Sequence, residues 1–152
     1  MKKIKHISAV VFVLVQMLVA SFLPISAGVR FDTEPCHIYM DGANLNGGNF
    51  FIKTYNGLPV YCIEPWVTIS WEDVYDVGTL EDYEKLSAQA KEHIAEFSYF
   101  GYGYSGHQSG EYYVATQYLI WLELYPEFVR DSHFYTENKG ECIDAEMNVY
   151  IH

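Results

Sequence analysis

The chain has 152 residues, with 20 acidic side chains against 9 basic ones and a formal net charge of −11. Nucleic acid and anionic membranes are therefore poor partners, because both carry the same sign of charge. Aromatic residues make up 17% of the chain, and 14 residues are tyrosines. This content is typical of a recognition surface or of a core built from rings.

The N-terminal segment has the pattern of an export signal. Three lysines within the first five residues precede an apolar run from Ile7 to Phe22, and Ala27 supplies a small residue suited to signal-peptidase cleavage. The apolar run is short for a membrane span. We therefore expect a cleaved signal peptide at residues 1–27 and one secreted or cell-surface domain at residues 28–152, with no membrane insertion after cleavage.

A β-hairpin is predicted between Phe50 and Ile63. Two apolar runs flank Asn56-Gly57, a dipeptide favoured where both residues of a two-residue turn have positive φ. The second run ends at Cys62. An earlier short strand is expected near His37 to Met40.

Two helices are predicted after the hairpin. Thr79 has the pattern of an N-cap followed by acidic residues, and apolar side chains then recur at helical spacing from Tyr83 to Phe97. The segment from Gly101 to Gly110 is rich in glycine and tyrosine and predicts a flexible loop. The second helix is expected from Glu111 to Tyr125, ending before Pro126.

These elements predict the α+β fold class. We expect an antiparallel β-sheet or sandwich that packs against a helical part, with the functional site in the cleft between them. Residues 128–152 are expected to add a closing helix or strand to the same domain.

Gln117 lies in the middle of the apolar stripe of the second predicted helix, which also contains Tyr113, Ile120, Trp121 and Leu124. A buried glutamine amide without hydrogen-bond partners costs about 1–3 kcal/mol, so its position calls for an explanation. One explanation is a structural amide that bridges to the backbone. The other is a role in chemistry.

The cysteines are Cys36, Cys62 and Cys142. In an exported protein an odd number leaves at least one thiol unpaired or committed to other chemistry. Cys36 and Cys142 lie near the two ends of residues 28–152, where domain termini often meet, so one expectation is a disulfide between them. Cys62 would then be the remaining thiol.

The segment Tyr61-Cys62-Ile63 at a strand end, with Thr116-Gln117-Tyr118-Leu119-Ile120-Trp121 on a later helix, resembles the thioester domain of Gram-positive bacterial surface adhesins. The resemblance covers essentially residues 28–152. It implies an internal thioester between the Cys62 sulfur and the Gln117 side-chain carbonyl, which captures a host or surface protein through an accessible amine, most simply a lysine.

The resemblance also implies single-turnover covalent binding rather than catalysis, with no cofactor and no metal. The family pattern does not call for Cys36 or Cys142. No cell-wall sorting motif or stalk repeat follows Ile151, so we expect either the N-terminal piece of a longer adhesin or an unanchored secreted member.

A stored thioester needs protection from water, because water would hydrolyse it. The aromatic residues expected to line the site are Tyr61, Trp66, Tyr113 and Trp121. Glu64 and His107 are candidates for accepting the proton of the attacking amine. The Gly101 to Gly110 loop is the expected route by which the amine enters.

Two other functions stay open from the sequence. A secreted cysteine hydrolase would use Cys62 as nucleophile and His93 or His107 as base, although no recognisable Cys-His signature is present. Alternatively, the aromatic residues form a non-covalent face for a glycan or protein and all three cysteines are structural.

Overall fold

A computed structural model describes residues 28–42, 44–67, 74–75 and 83–152, and the backbone of residues 11–13. Its elements are β1 (Val11–Val13), β2 (Asp32–Gly42), β3 (Leu45–Tyr55), β4 (Leu58–Cys62), α1 (Ala88–Phe100), α2 (Gly110–Leu124), α3 (Pro126–Val129), β5 (His133–Thr136), a 3₁₀ turn at Glu137–Lys139 and α4 (Asp144–Ile151). The strands form one antiparallel sheet in the order β1-β4-β3-β2-β5. The predicted α+β class is confirmed.

The expected signal peptide lies outside the described residues, apart from the backbone of residues 11–13, which pairs with β4. The boundary between residues 27 and 28 stays a prediction. Among the helices that the structure describes, none has the length and apolar character needed to cross a membrane.

The predicted hairpin is confirmed as β3 and β4. Asn56 and Gly57 have φ values of 52° and 77°, as the turn requires, and Tyr55 lies opposite Leu58 across it. With this register, β4 ends at Cys62.

The strand predicted near His37 to Met40 is the middle of the longer β2. Its other neighbour is β5, where Phe134 lies opposite Met40 and both side chains are buried. Residues 128–152 therefore contribute both a strand and a helix. In α4 the side chain of Met147 is fully buried.

The first helix begins later than predicted. It starts at Ala88, and its N-cap is Ser87, whose Oγ accepts a hydrogen bond from the backbone N–H of Ala90 at 3.1 Å. Thr79 lies outside the described residues. Tyr83, which the spacing placed on the helix, precedes it and is buried from a turn. The turn and the helix bury side chains in the same core, so their apolar residues continue one spacing, which predicts a single longer helix.

Replacing Ser87 by alanine will lower the free energy of unfolding by about 0.5–2 kcal/mol, because the N–H of Ala90 loses its cap. Ser109 is a matched control, since it is the N-cap residue of α2 but its side chain makes no capping hydrogen bond. Ser109→Ala should change stability by less than about 0.5 kcal/mol. Urea unfolding of the two variants measures both values, and equal losses would contradict the capping assignment.

The second helix is confirmed, at Gly110–Leu124, but it is buried on most of its circumference rather than along one stripe. Its buried residues are Tyr113, Val114, Ala115, Thr116, Gln117, Tyr118, Ile120 and Trp121. A Cβ atom on Gly110 would lie 2.8 Å from the Cys36 carbonyl oxygen, so glycine permits the close approach of α2 to β2. This packing fixes the position of Gln117 against the sheet.

Candidate functional site

The side chain of Gln117 reaches from α2 to the end of β4. Its Oε1 accepts a hydrogen bond from the backbone N–H of Cys62 at 2.8 Å, and its Nε2 donates to the Cys62 carbonyl at 2.7 Å. Gln117 is only 3% exposed, so this pairing satisfies the hydrogen-bonding groups of a buried amide. A purely structural glutamine would make the same pairing to the backbone.

The thiol of Cys62 is half-buried and donates to the carbonyl oxygen of Glu64 at 3.1 Å. Burial raises the pKa of this thiol to about 11, although the nearby Lys53 ammonium lowers it in part. The thiolate, which is the nucleophilic form, is therefore scarce at neutral pH. The thiol must also leave Glu64 before it can attack another group.

Beside these two residues lies a cavity of ≈ 170 Å³. It is bounded by β3, the end of β4, the segment after β4, and α2. The lining residues are Met40, Leu45, Gly48, Asn49, Phe50, Lys53, Cys62, Pro65, Val67, Tyr113, Gln117 and Trp121. A thiol, a primary amide and an amine thus share one small space.

The thioester domain family model matches residues 59–148, a span that includes both Cys62 and Gln117. The chain belongs to the thioester domain family. No curated protein and no solved structure matches it. Thioester domains are in general covalent binding modules, so this membership supports an adhesin-like, covalent-binding role.

Two of the aromatic residues expected around the thioester domain's site line the cavity. Tyr113 is 1% exposed, and its hydroxyl donates to the carbonyl oxygen of Val60 in β4. Trp121 packs its edge against Phe50 at 5.9 Å between ring centroids. Its indole N–H is buried and has no hydrogen-bond partner among the described residues.

The other predicted lining residues lie elsewhere. Tyr61 is buried behind the cavity, stacked on Tyr113 at 5.1 Å. Trp66 is 52% exposed and packs on Phe128 outside the cavity. The Glu64 carboxylate lies 3.5 Å from the Tyr83 hydroxyl, so only the main chain of Glu64 contacts the thiol.

Neither predicted histidine base lines the cavity. His107 binds the carbonyl oxygen of Phe100 through Nδ1 at 2.9 Å, and His93 pairs with Glu123 at 3.0 Å. Across the described part of the thioester domain, no cluster of His, Cys, Asp or Glu could hold a metal ion.

The glycine-rich loop from Gly101 to Gly110 borders a different, second cavity of ≈ 470 Å³. The side chain of Gln108 braces this loop, since it donates to the Tyr102 and Tyr104 carbonyls and accepts from the Gly106 N–H. Hydrogen bonds therefore hold the loop in place, and none of its residues lines the Cys62 cavity. The Cys62 cavity is lined instead by residues of β3 and of the segment after β4, among them Leu45, Gly48, Asn49, Pro65 and Val67.

The expected disulfide between Cys36 and Cys142 is not formed, and all three cysteines of the thioester domain are free thiols. Cys142 pairs with Tyr135 on the outer side of β5, whereas Cys36 lies on β2, so β5 runs between them. Two strand spacings are about 9–10 Å, and a disulfide needs Cα atoms within about 7 Å. Burial raises the pKa of Cys36 to about 12, typical of an inert core thiol.

Lys53 was not predicted as a site residue. A sequence signal existed, because Lys53 is the lone charged residue in the apolar run of β3, and the two-residue turn places it opposite Val60, two residues before Cys62.

Proposed function

We propose that this domain is a secreted or cell-surface adhesin module that captures a ligand covalently through a thioester between Cys62 and Gln117. The observation that carries the proposal is the direct pairing of the Gln117 amide with the backbone of Cys62. Membership of the thioester domain family supports it. The chemistry follows in two steps.

In the first step, the Cys62 thiol gives up its proton and the thiolate attacks the Gln117 side-chain carbon. The departing nitrogen takes up this proton and leaves as ammonia. An amide is a poor electrophile, so the reaction depends on positioning, which can supply ~7–11 kcal/mol of the barrier. Here α2 and β4 hold the two residues together before any bond forms. Trp121 lines the same cavity, and we expect its unpaired indole N–H to stabilise the oxyanion that develops on Gln117.

In the second step, a primary amine on the ligand attacks the thioester carbon, the Cys62 sulfur leaves as a thiol, and an amide joins the ligand to Gln117. The protein is consumed, so this is single-turnover binding rather than catalysis. The partner is a host or surface protein with an accessible amine, most simply a lysine. A net charge of −11 favours the approach of a basic surface.

Intact-mass measurement with methylamine tests the proposal. The folded wild-type domain should be lighter than its sequence by one ammonia, and methylamine should add to Gln117 while releasing one thiol at Cys62. Cys142→Ala, which removes an exposed thiol, is the matched control and should behave as wild type. A protein with the full sequence mass, or one that loses ammonia but stays inert to methylamine, would contradict covalent capture.

A second candidate function is non-covalent binding by exposed aromatic residues. Tyr99, Phe100 and Tyr104 are 49%, 60% and 45% exposed and contact one another at the end of α1. Ligand binding that survives Cys62→Ala unchanged would favour this function. The cysteine hydrolase has no comparable support, because no histidine in the described residues borders the Cys62 cavity.

A further inference from the structure

Lys53 is the basic residue among those that line the Cys62 cavity, and no carboxylate is among them. It lies on β3, opposite Thr33 of β2, with its side chain partly buried. Within the described residues, no acidic group lies at ion-pair distance from its ammonium group. A partly buried amine without a counter-charge is costly, so its position calls for a function.

The titratable groups that act on the Lys53 ammonium are two thiols. Cys36 approaches from β2 and Cys62 from β4. The Tyr113 hydroxyl from α2 is engaged by the backbone carbonyl of Val60. Burial lowers the pKa of Lys53, and the two thiols offset part of this effect. In return, the Lys53 ammonium lowers the pKa of the Cys62 thiol. The amine and the thiol are therefore electrostatically coupled in one cavity.

We propose that Lys53 is the proton-transfer residue of the Cys62–Gln117 chemistry. The inference rests on the proposed function and names the group that activates the thiol and the ligand amine. It replaces the roles considered for Glu64 and His107, whose side chains point to other partners.

Proton and bond changes balance in both steps. In bond formation, neutral Lys53 takes the proton of the Cys62 thiol, the thiolate attacks the Gln117 carbon, and the Lys53 ammonium returns the proton to the departing nitrogen, which leaves as ammonia. In capture, Lys53 takes the surplus proton of the attacking amine. It then passes this proton to the departing sulfur, so the thiol is restored.

Lys53 could instead act as a nucleophile on Gln117 and form an internal isopeptide bond. The contacts favour the proton-transfer role, because the amide of Gln117 is engaged by the Cys62 backbone and its hydrogen bonds do not include Lys53. The isopeptide would also release one ammonia, so mass loss alone does not separate the two reactions. Peptide mapping does, because only the isopeptide joins Lys53 to Gln117.

The test compares thiol release by methylamine in wild type, Lys53→Met and Lys53→Arg, with Lys85→Met as a control on an exposed lysine. Rates are divided by the fraction of unprotonated methylamine and plotted against pH. In wild type the corrected rate should rise with pH, because neutral Lys53 is the active form, with a midpoint below the ordinary pKa of lysine. Lys53→Met should be slower by about 10²–10⁴-fold and lose this rise.

Lys53→Arg keeps the positive charge but not a usable proton acceptor, so it should resemble Lys53→Met and serves if the methionine variant does not fold. A folded variant of either kind that never loses ammonia also supports the inference. Wild-type rates and pH profile in both variants would overturn it, as would a Lys53–Gln117 isopeptide. If the wild-type domain itself does not react with methylamine, that result contradicts the proposed function. If the wild-type domain reacts and both Lys53 variants react equally fast, only the role of Lys53 is contradicted.

Discussion

Gln117→Ala will abolish covalent capture completely, because the variant has no side-chain carbonyl for Cys62 to attack. Gln117→Glu should be equally inactive, since a carboxylate is a poorer electrophile than an amide and carries no ammonia to release. Incubation with methylamine followed by intact-mass measurement should show no adduct in either variant. Gln89→Ala, a change on the exposed face of α1, is the matched control and should react as wild type.

We expect Gln117→Ala and Cys62→Ala to differ in their free energy of unfolding. In Cys62→Ala the Gln117 amide keeps both of its hydrogen bonds to the backbone of residue 62. In Gln117→Ala these backbone groups lose their partners, at about 1–3 kcal/mol for each buried group. Gln117→Ala should therefore unfold more easily than Cys62→Ala. The reverse order would mean that the amide pairing contributes nothing to the fold.

Opening the thioester with methylamine will lower the free energy of unfolding by ~4 kcal/mol, by the chain-entropy relation for a covalent cross-link. The bond would join residues 55 positions apart and so restrict the unfolded chain. Urea unfolding of the wild-type domain before and after methylamine measures the difference. The expected loss is a large share of the stability of an ordinary domain.

Cys62→Ala is the control for this measurement. It has no cross-link to open, so methylamine should leave its unfolding curve unchanged and close to that of opened wild type. A wild-type domain whose stability is the same before and after opening would show that the loop between the two residues is already restricted in the unfolded chain.

The parts of the fold that could be predicted are those encoded by neighbouring residues. Asn56-Gly57 specifies its turn and therefore the register of β4. Gly110–Leu124 is a long periodic segment that ends before Pro126. The start of α1 was placed too early because a turn with a buried Tyr83 continues the apolar spacing of the helix, and spacing alone does not distinguish the two.

Some of the residues around the site could not be predicted, because their positions depend on contacts between segments that are distant in the sequence. Trp66 follows Cys62 closely, yet it packs outward on Phe128, because the chain turns after the strand. The predicted disulfide between Cys36 and Cys142 is wrong for a similar reason. The position of β5 between the two cysteines follows from the order of strands in the sheet rather than from distance along the chain. Residue type and sequence separation therefore predict neither the outward packing of Trp66 nor the separation of Cys36 from Cys142.

The way in which Gln117 binds Cys62 also constrains the domain after a ligand is attached. The amide uses its oxygen and the hydrogen on the same edge, because both bind one residue. In a secondary amide of trans geometry, the substituent on nitrogen occupies that edge, and the cis alternative costs about 2.5–4 kcal/mol. The attached ligand would take the place of the hydrogen that faced the Cys62 carbonyl. A domain that has captured its ligand therefore cannot return to the arrangement that precedes thioester formation, even though Gln117 is once more an amide.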